Sequence, residues 1–326
     1  MTEAYFENDY IYAVARVRGA ELGLLDEAAL DQLAAVSSAE DVLQLLREKN
    51  YGLDDEDTAD TILQGERKKL WDFIDEIVPD KNMLEVFRIS ADYNNVKAAI
   101  KESVLNFRYP GIYIQEGNVD AELVKKAVQE RNYRDLPGDM PEIAEAAHDV
   151  FLRTGDGQLC DIMVDKACME QMLKAAEESG NEVILEYAQL YTAAADIKLA
   201  VRAQKTGKNR EFLQDALCDV DILNMNQLMQ AAQNSFDAIC SFLESTDFSE
   251  GAGELRKSPA AFEKYCDDLL MDRMRAQLYN SFGFGPIAAY ILAKENEMKT
   301  VRIILSGKQN GFSEAMIRER MRESYV

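Results

Sequence analysis

The chain has 326 residues, 47% of them hydrophobic, enough to bury a substantial core and to fill two or three domains. Its 36 basic and 59 acidic residues leave a net charge of −23, which argues against nucleic acid or an anionic lipid surface as the main partner and favours a partner with a local basic patch. Five cysteines (Cys160, Cys168, Cys218, Cys240, Cys266), odd in number and without C-x-x-C spacing, read as buried reduced thiols of a cytosolic protein. The opening MTEAYFENDY lacks the basic-then-apolar layout of a signal peptide. The longest uncharged run, Ala276 to Ala293, is broken by Gln277, Asn280, Ser281, Gly283, Gly285 and Pro286, so no direct membrane insertion is expected.

Apolar residues recur at i, i+3, i+4 and i+7 along most of the chain, which predicts an almost wholly helical protein. In chain order the helices are expected at about Ala4 to Arg18, Glu27 to Lys49, Ala59 to Ile77, Lys81 to Phe107, Val119 to Arg131, Pro141 to Leu152, Gln158 to Glu178, Asn181 to Gln204, Arg210 to Asp219, Asn224 to Glu244, Pro259 to Asn280, Pro286 to Leu305 and Ser313 to Ser324. The strand-like run YPGIYIQEGN, from Tyr109 to Asn118, is short, isolated and glycine-flanked, and reads as a loop or a short edge hairpin.

Three of these helices repeat one pattern, written VKAAI, IKLAV and VRIIL. Val86, Ile89, Tyr93, Val96 and Ile100 step by 3, 4, 3 and 4; adding 101 gives Tyr187, Leu190, Ala194, Ile197 and Val201, and adding 205 gives Ile291, Lys294, Met298, Val301 and Leu305. All but Lys294 are apolar or small, so each copy offers one seam to a neighbouring helix. Beside the seam a base recurs in register as Lys97, Lys198 and Arg302, which makes these the candidate partner-contact residues; an ion pair within each copy is the structural use open to the same positions. Ala193 and Thr300 depart from the acidic or amide residues that the register suggests.

A second landmark precedes each copy: LLREKNY ending at Tyr51, AVQERNY ending at Tyr133 and FLESTDF ending at Phe248. A helix end, an acid, a turn-forming Asn or Asp and an aromatic ring close a helix and anchor the turn after it. The chain thus divides into three similar helical modules, residues 1–110, 111–218 and 219–326, carrying insertions of different length.

No catalytic constellation emerges. EAAH, Glu145 to His148, has the E-x-x-H spacing of di-iron bundles, but His148 is the single histidine, which leaves no second half for a metal site and no base for a triad. GFGPIA, Gly283 to Ala288, imitates a dinucleotide fingerprint, yet it follows a helical pattern instead of a strand and reads as a glycine turn with Pro286 at a helix start. ILSGK and QKTGK lack the upstream glycine and the following hydroxyl of a phosphate loop and read as helix stops with a cation at the negative end of the dipole. DDED, Asp54 to Asp57, reads as a solvated acidic loop.

The ending FGFGPIAAYILAKENEMKTVRIILSGKQNGFSEAMIRERMRESYV, the opening YIYAVARVRGAELGLLD and the stretch SPAAFEKYCDDLLM together resemble the C subunits of V-type and A-type ATP synthases, relatives of the d subunit of the eukaryotic vacuolar proton pump. The resemblance implies an all-α funnel of three similar modules in a pseudo-three-fold arrangement. It implies a non-catalytic rotor part without cofactor: a socket that receives the central shaft subunits and rests on the membrane rotor ring of proteolipid subunits, peripheral on the cytoplasmic face. An acidic body suits a basic shaft tip by charge complementarity, and the ring contact is expected to be modest, polar and salt-sensitive. The reading from a different class is an α-helical adaptor of another cytosolic complex.

Overall fold

The computed structural model describes residues 7–53, 58–108 and 111–326; the acidic stretch Asp54 to Asp57 lies outside them. The described residues form α-helices and three short 3-10 segments, with no strand among them. In chain order the helices are α1 (Ile11–Glu21), α2 (Glu27–Ala35), α3 (Ala39–Glu48), α4 (Ala59–Ile77), α5 (Glu85–Leu105), α6 (Ala121–Gln129), α7 (Met140–Thr154), α8 (Gly157–Ser179), α9 (Glu182–Lys205), α10 (Arg210–Ala216), α11 (Met225–Asn234), α12 (Phe236–Leu243), α13 (Gly251–Lys257), α14 (Pro259–Arg275), α15 (Gly285–Gln309) and α16 (Glu314–Arg318). None is long and apolar enough to cross a membrane.

The helices pack as two compact units, one made of Met1–Lys81 with Leu243–Val326, the other of Asn82–Phe242. In the first, α15 is the central element and packs on α1, α2, α3, α4, α14 and α16. In the second, α5 packs on α6, α7 and α8, while α9 lies between α8 and α11. The central helices are buried around most of their circumference, as a core helix must be when neighbours cover it on several sides.

Several boundaries differ from the periodicity, each for a local reason. The helix expected from Glu27 to Lys49 is two, because the Ser38 hydroxyl accepts the Asp41 N–H while the Asp41 carboxylate accepts the Ser38 N–H, a capping box that restarts the chain. The stretch from Asn224 to Glu244 breaks likewise at Ser235, whose hydroxyl accepts the Ala238 N–H. Helix α13 is too short to show a period and leaves no signal in the sequence. The last helix ends at Arg318, well before Ser324. Beyond it an extended tail is tied down by polar contacts: Arg322 Nε on Asp267 at 2.8 Å, Arg275 on the Ser324 carbonyl at 2.7 Å and Asn296 on the Glu323 carbonyl at 2.9 Å.

Candidate functional site

The repeat is visible in three dimensions at four kinds of position. First, all fifteen seam residues of α5, α9 and α15 are buried, Lys294 included. Second, each of these helices stops in register. Asn106, Gly207 and Gly311 (106 + 101 = 207; 106 + 205 = 311) all adopt the left-handed conformation, with φ of 51°, 65° and 69°. The amides of Lys208 and Phe312 then reach back to the carbonyls of Ala203 and Gly307 at 2.9 Å, closing the helix ends. Gly207 is thus the stop that QKTGK announced, whereas the glycine of ILSGK is not one: Gly307 lies inside α15, where it lets Ile317 of α16 approach. A Cβ there would fall 2.6 Å from Ile317 Cγ1.

Third, the short helices α3, α6 and α12 share one plan. Their caps Ser38, Asp120 and Ser235 each accept the amide three residues on, and the residue thirteen after each cap is Tyr51, Tyr133 or Phe248, all buried. The three landmarks are therefore capped helices whose exits are anchored by rings in the core.

Fourth, buried polar residues on the long helices hold connecting segments by their backbone. Asp92 accepts the Val119 N–H at 2.9 Å, and in the same register Glu297 accepts the Leu25 N–H at 2.5 Å; Val119 and Leu25 each stand immediately before a helix cap, Asp120 and Asp26. One turn on, Asn95 both accepts the Ile114 N–H at 2.9 Å and donates to its carbonyl at 2.8 Å, so a side-chain amide satisfies the backbone of the run that looked like a strand. Its counterpart Asp196 accepts the Cys218 N–H at 3.1 Å. Ile114 and Cys218 each lie six residues before a cap, Asp120 and Asn224. The two departures noted in the sequence, Ala193 and Thr300, are the copies in which such a bond is missing; among the described residues the buried Thr300 hydroxyl has no hydrogen-bond partner. Burial raises the carboxyl of Asp92 to about 6 and that of Asp196 to about 8.

Lys294, the one ion on the seam, is the centre of a buried cluster. Its Nζ lies 2.7 Å from Glu66 of α4 and 2.6 Å from Glu297, and 4.7 Å from the centre of the Tyr51 ring. Each carboxylate uses its other oxygen on a loop: Glu66 accepts the Gly52 N–H at 3.0 Å and Glu297 that of Leu25. Burial opposes the ammonium charge, but Glu297 and Glu66 outweigh it and hold the lysine above its usual range. The sequence showed Lys294 as an exception but not its partners, because Glu66 is distant in the chain and sits in an ordinary amphipathic helix.

The candidate contact residues are not alike. Lys97 pairs with Asp165 of α8 at 2.5 Å, whereas Lys198 and Arg302 make no ion pair or hydrogen bond through their side chains among the described residues. Glu145 and His148 do not converge: the first is exposed, the second buried with Nδ1 2.7 Å from the Tyr133 hydroxyl. No cluster of three metal-ligating side chains occurs among the described residues. GFGPIA forms the start of α15, with Gly283 at φ 70° and Pro286 in the first turn.

These features define an all-helical scaffold built on a divergent repeat, in which Asp92, Asn95, Asp196, Glu66 and Glu297 hold connecting backbone. The chain belongs to the ATP synthase (C/AC39) subunit family, whose model matches residues 13–320. It is 23% identical to the C subunit of the V-type sodium ATPase of Enterococcus hirae, over 95% of this chain and 97% of that one. It is 26% identical to the C subunit of the A-type ATP synthase of Methanocaldococcus jannaschii, over 92% and 82%. With the C subunit of the V-type ATP synthase of Thermus thermophilus it shares 23% identity over 96% and 98%.

Proposed function

We propose that this chain is the non-catalytic central-rotor subunit of a V-type or A-type ATPase. It would be a socket, on the cytoplasmic face, that couples the central shaft to the membrane rotor ring and so links ATP turnover to proton or sodium transport. The observation that carries this reading is the recurrence in α5, α9 and α15 of the same buried seam and the same left-handed stop, in a chain matched over nearly its whole length by one rotary-ATPase family. Three equivalent modules, residues 1–110, 111–218 and 219–326, would let one element be gripped from several sides, which a single hairpin cannot do.

A torque coupler has to be stiff, and the described features suit that demand. Close-packed long helices resist bending. The Glu66–Lys294–Glu297 cluster and the carboxylate-to-backbone bonds join helices to loops, so that load on one is carried by the other. No nucleotide is needed for such work.

The experiment is purification of the tagged chain from its native membranes in mild detergent, with identification of what accompanies it. Shaft and proteolipid-ring subunits are the expected companions. Recovery with a different cytosolic complex, free of both, would support the adaptor reading instead. The purified chain is also expected to bind no ATP; a micromolar affinity by calorimetry would contradict the non-catalytic role.

A further inference from the structure

The long helices are covered on most sides, and in all three the same four register positions stay at least partly accessible. On α5 these are Ser90, Asn94, Lys97 and Lys101; adding 101 gives Tyr191, Ala195, Lys198 and Arg202 on α9, and adding 205 gives Glu295, Lys299, Arg302 and Ser306 on α15. Each stripe carries two cations, and only one acid, Glu295, appears in all twelve positions, within a chain of net charge −23.

The cations differ in what they do at home. Lys97 and Lys101 pair with Asp165 and Asp161 of α8, at 2.5 and 2.7 Å, and Lys299 pairs with Asp267 of α14 at 2.5 Å. Only on α9 do both cations, Lys198 and Arg202, lack such a partner among the described residues, although the chain offers 59 acids. The helix dipole accounts for Arg202, in the last turn of α9, but not for Lys198, which stands about two turns from the helix end, beyond the reach of the terminal partial charge. On the same stripe Tyr191, a large amphipathic side chain of the kind that anchors protein contacts, is 42% exposed, with its ring beside that of Tyr187.

We propose that the accessible stripe of α9 is a docking surface for an acidic protein segment, whose carboxylates accept hydrogen bonds from Lys198 and Arg202 while an apolar side chain covers the Tyr191 ring. Resting on the rotor reading above, that segment is the tip of the central shaft, and the tip is acidic at the contact. This reverses what net charge alone suggests. Binding is governed by the potential at the contact, and here the local sign is opposite to the global one.

The test is binding of the purified full-length chain to the isolated shaft subunits at several salt concentrations. The wild-type chain should bind and weaken as salt rises. The double variant K198E/R202E should bind at least about ten-fold more weakly with a flatter salt dependence, and K198Q/R202Q should fall between. The control K68E/K257E, which alters two exposed lysines each paired within its own helix, should stay within about two-fold. Because the altered side chains are accessible, circular dichroism should report unchanged helix content in every variant. Wild-type affinity in the double charge reversal, or a loss as large in the control, overturns the stripe and leaves the rotor reading standing. A wild-type chain that does not bind the shaft overturns both.

Discussion

Lys294 is the ion that an apolar seam should not contain, and the cluster around it explains its presence. A buried ammonium between two carboxylates is tolerable because all three groups are satisfied, and removing one partner leaves the others charged and dry. Lys294→Met should therefore cost about 3–5 kcal/mol, read as a lower denaturant midpoint. Adding Glu66→Gln and Glu297→Gln should recover part of that loss. A single variant as stable as the wild type would mean that the cluster carries little energy. Asp196 gives a prediction in pH. Burial raises its carboxyl from 3.8 to about 8, so the folded state holds a proton that the unfolded chain releases. The resulting stability is full below about pH 4 and is lost as pH rises through about 8. Asp196→Asn retains an oxygen for the Cys218 N–H, as Asn95 does for Ile114, and cannot ionise. Its stability relative to the wild type should climb between pH 4 and pH 8 and then level off, checked by urea unfolding across that range. A difference that does not change with pH would show Asp196 to be ionised in the folded protein.

Elements here are delimited by chemistry at their ends more than by their periodicity. The period gave α4 to the residue and most of α8 and α9, but it ran through Ser38 and Ser235, where a hydroxyl captures an amide and starts a new helix. Periodicity senses the buried face, which continues across such a break, and is blind to the cap. The two glycines near the end of α15 make the contrast testable. Gly311 is at φ 69°, where an L side chain costs roughly 1–2 kcal/mol, so Gly311→Ala should lower stability by about that amount with no change in packing. Gly307 has ordinary helical geometry, and Gly307→Ala acts through the clash with Ile317 Cγ1. Shortening the partner with Ile317→Val leaves Cγ1 in place and should rescue little, whereas Ile317→Ala should relieve the clash. In thermal melts the Gly307→Ala loss should then shrink in the Ile317→Ala background while the Gly311→Ala loss does not; equal losses in both backgrounds would remove the close-approach account.

At the scale of the molecule the chain's two ends share one unit, because α15, near the C-terminus, is the core against which α1 to α4 pack. The other unit, Asn82–Phe242, is continuous in sequence and has its own buried long helices. A fragment of residues 82–242 should therefore fold alone, with cooperative thermal unfolding and native-like helix content. A fragment of residues 1–81 should stay largely unfolded by circular dichroism until residues 243–326 are supplied, since its apolar faces lack their cover. A helical, cooperatively melting 1–81 fragment would contradict this division.

By itself the sequence determined the helical class, the three-fold register of the seams, and the family, because these rest on local spacing and on short motifs that each stretch of chain carries whole. It also marked where the copies diverge: Ala193 and Thr300 stood out before their missing backbone bonds could be seen. Tertiary structure alone decided the rest. That Glu66 neutralises Lys294, that Glu297 holds Leu25 across most of the chain's length, and that Lys97 is paired while Lys198 and Arg302 are not among the described residues, all depend on contacts between residues far apart in sequence. A side chain's spacing tells which face it is on; whether an opposite charge waits across that face depends on which helix packs there, and no local pattern encodes it.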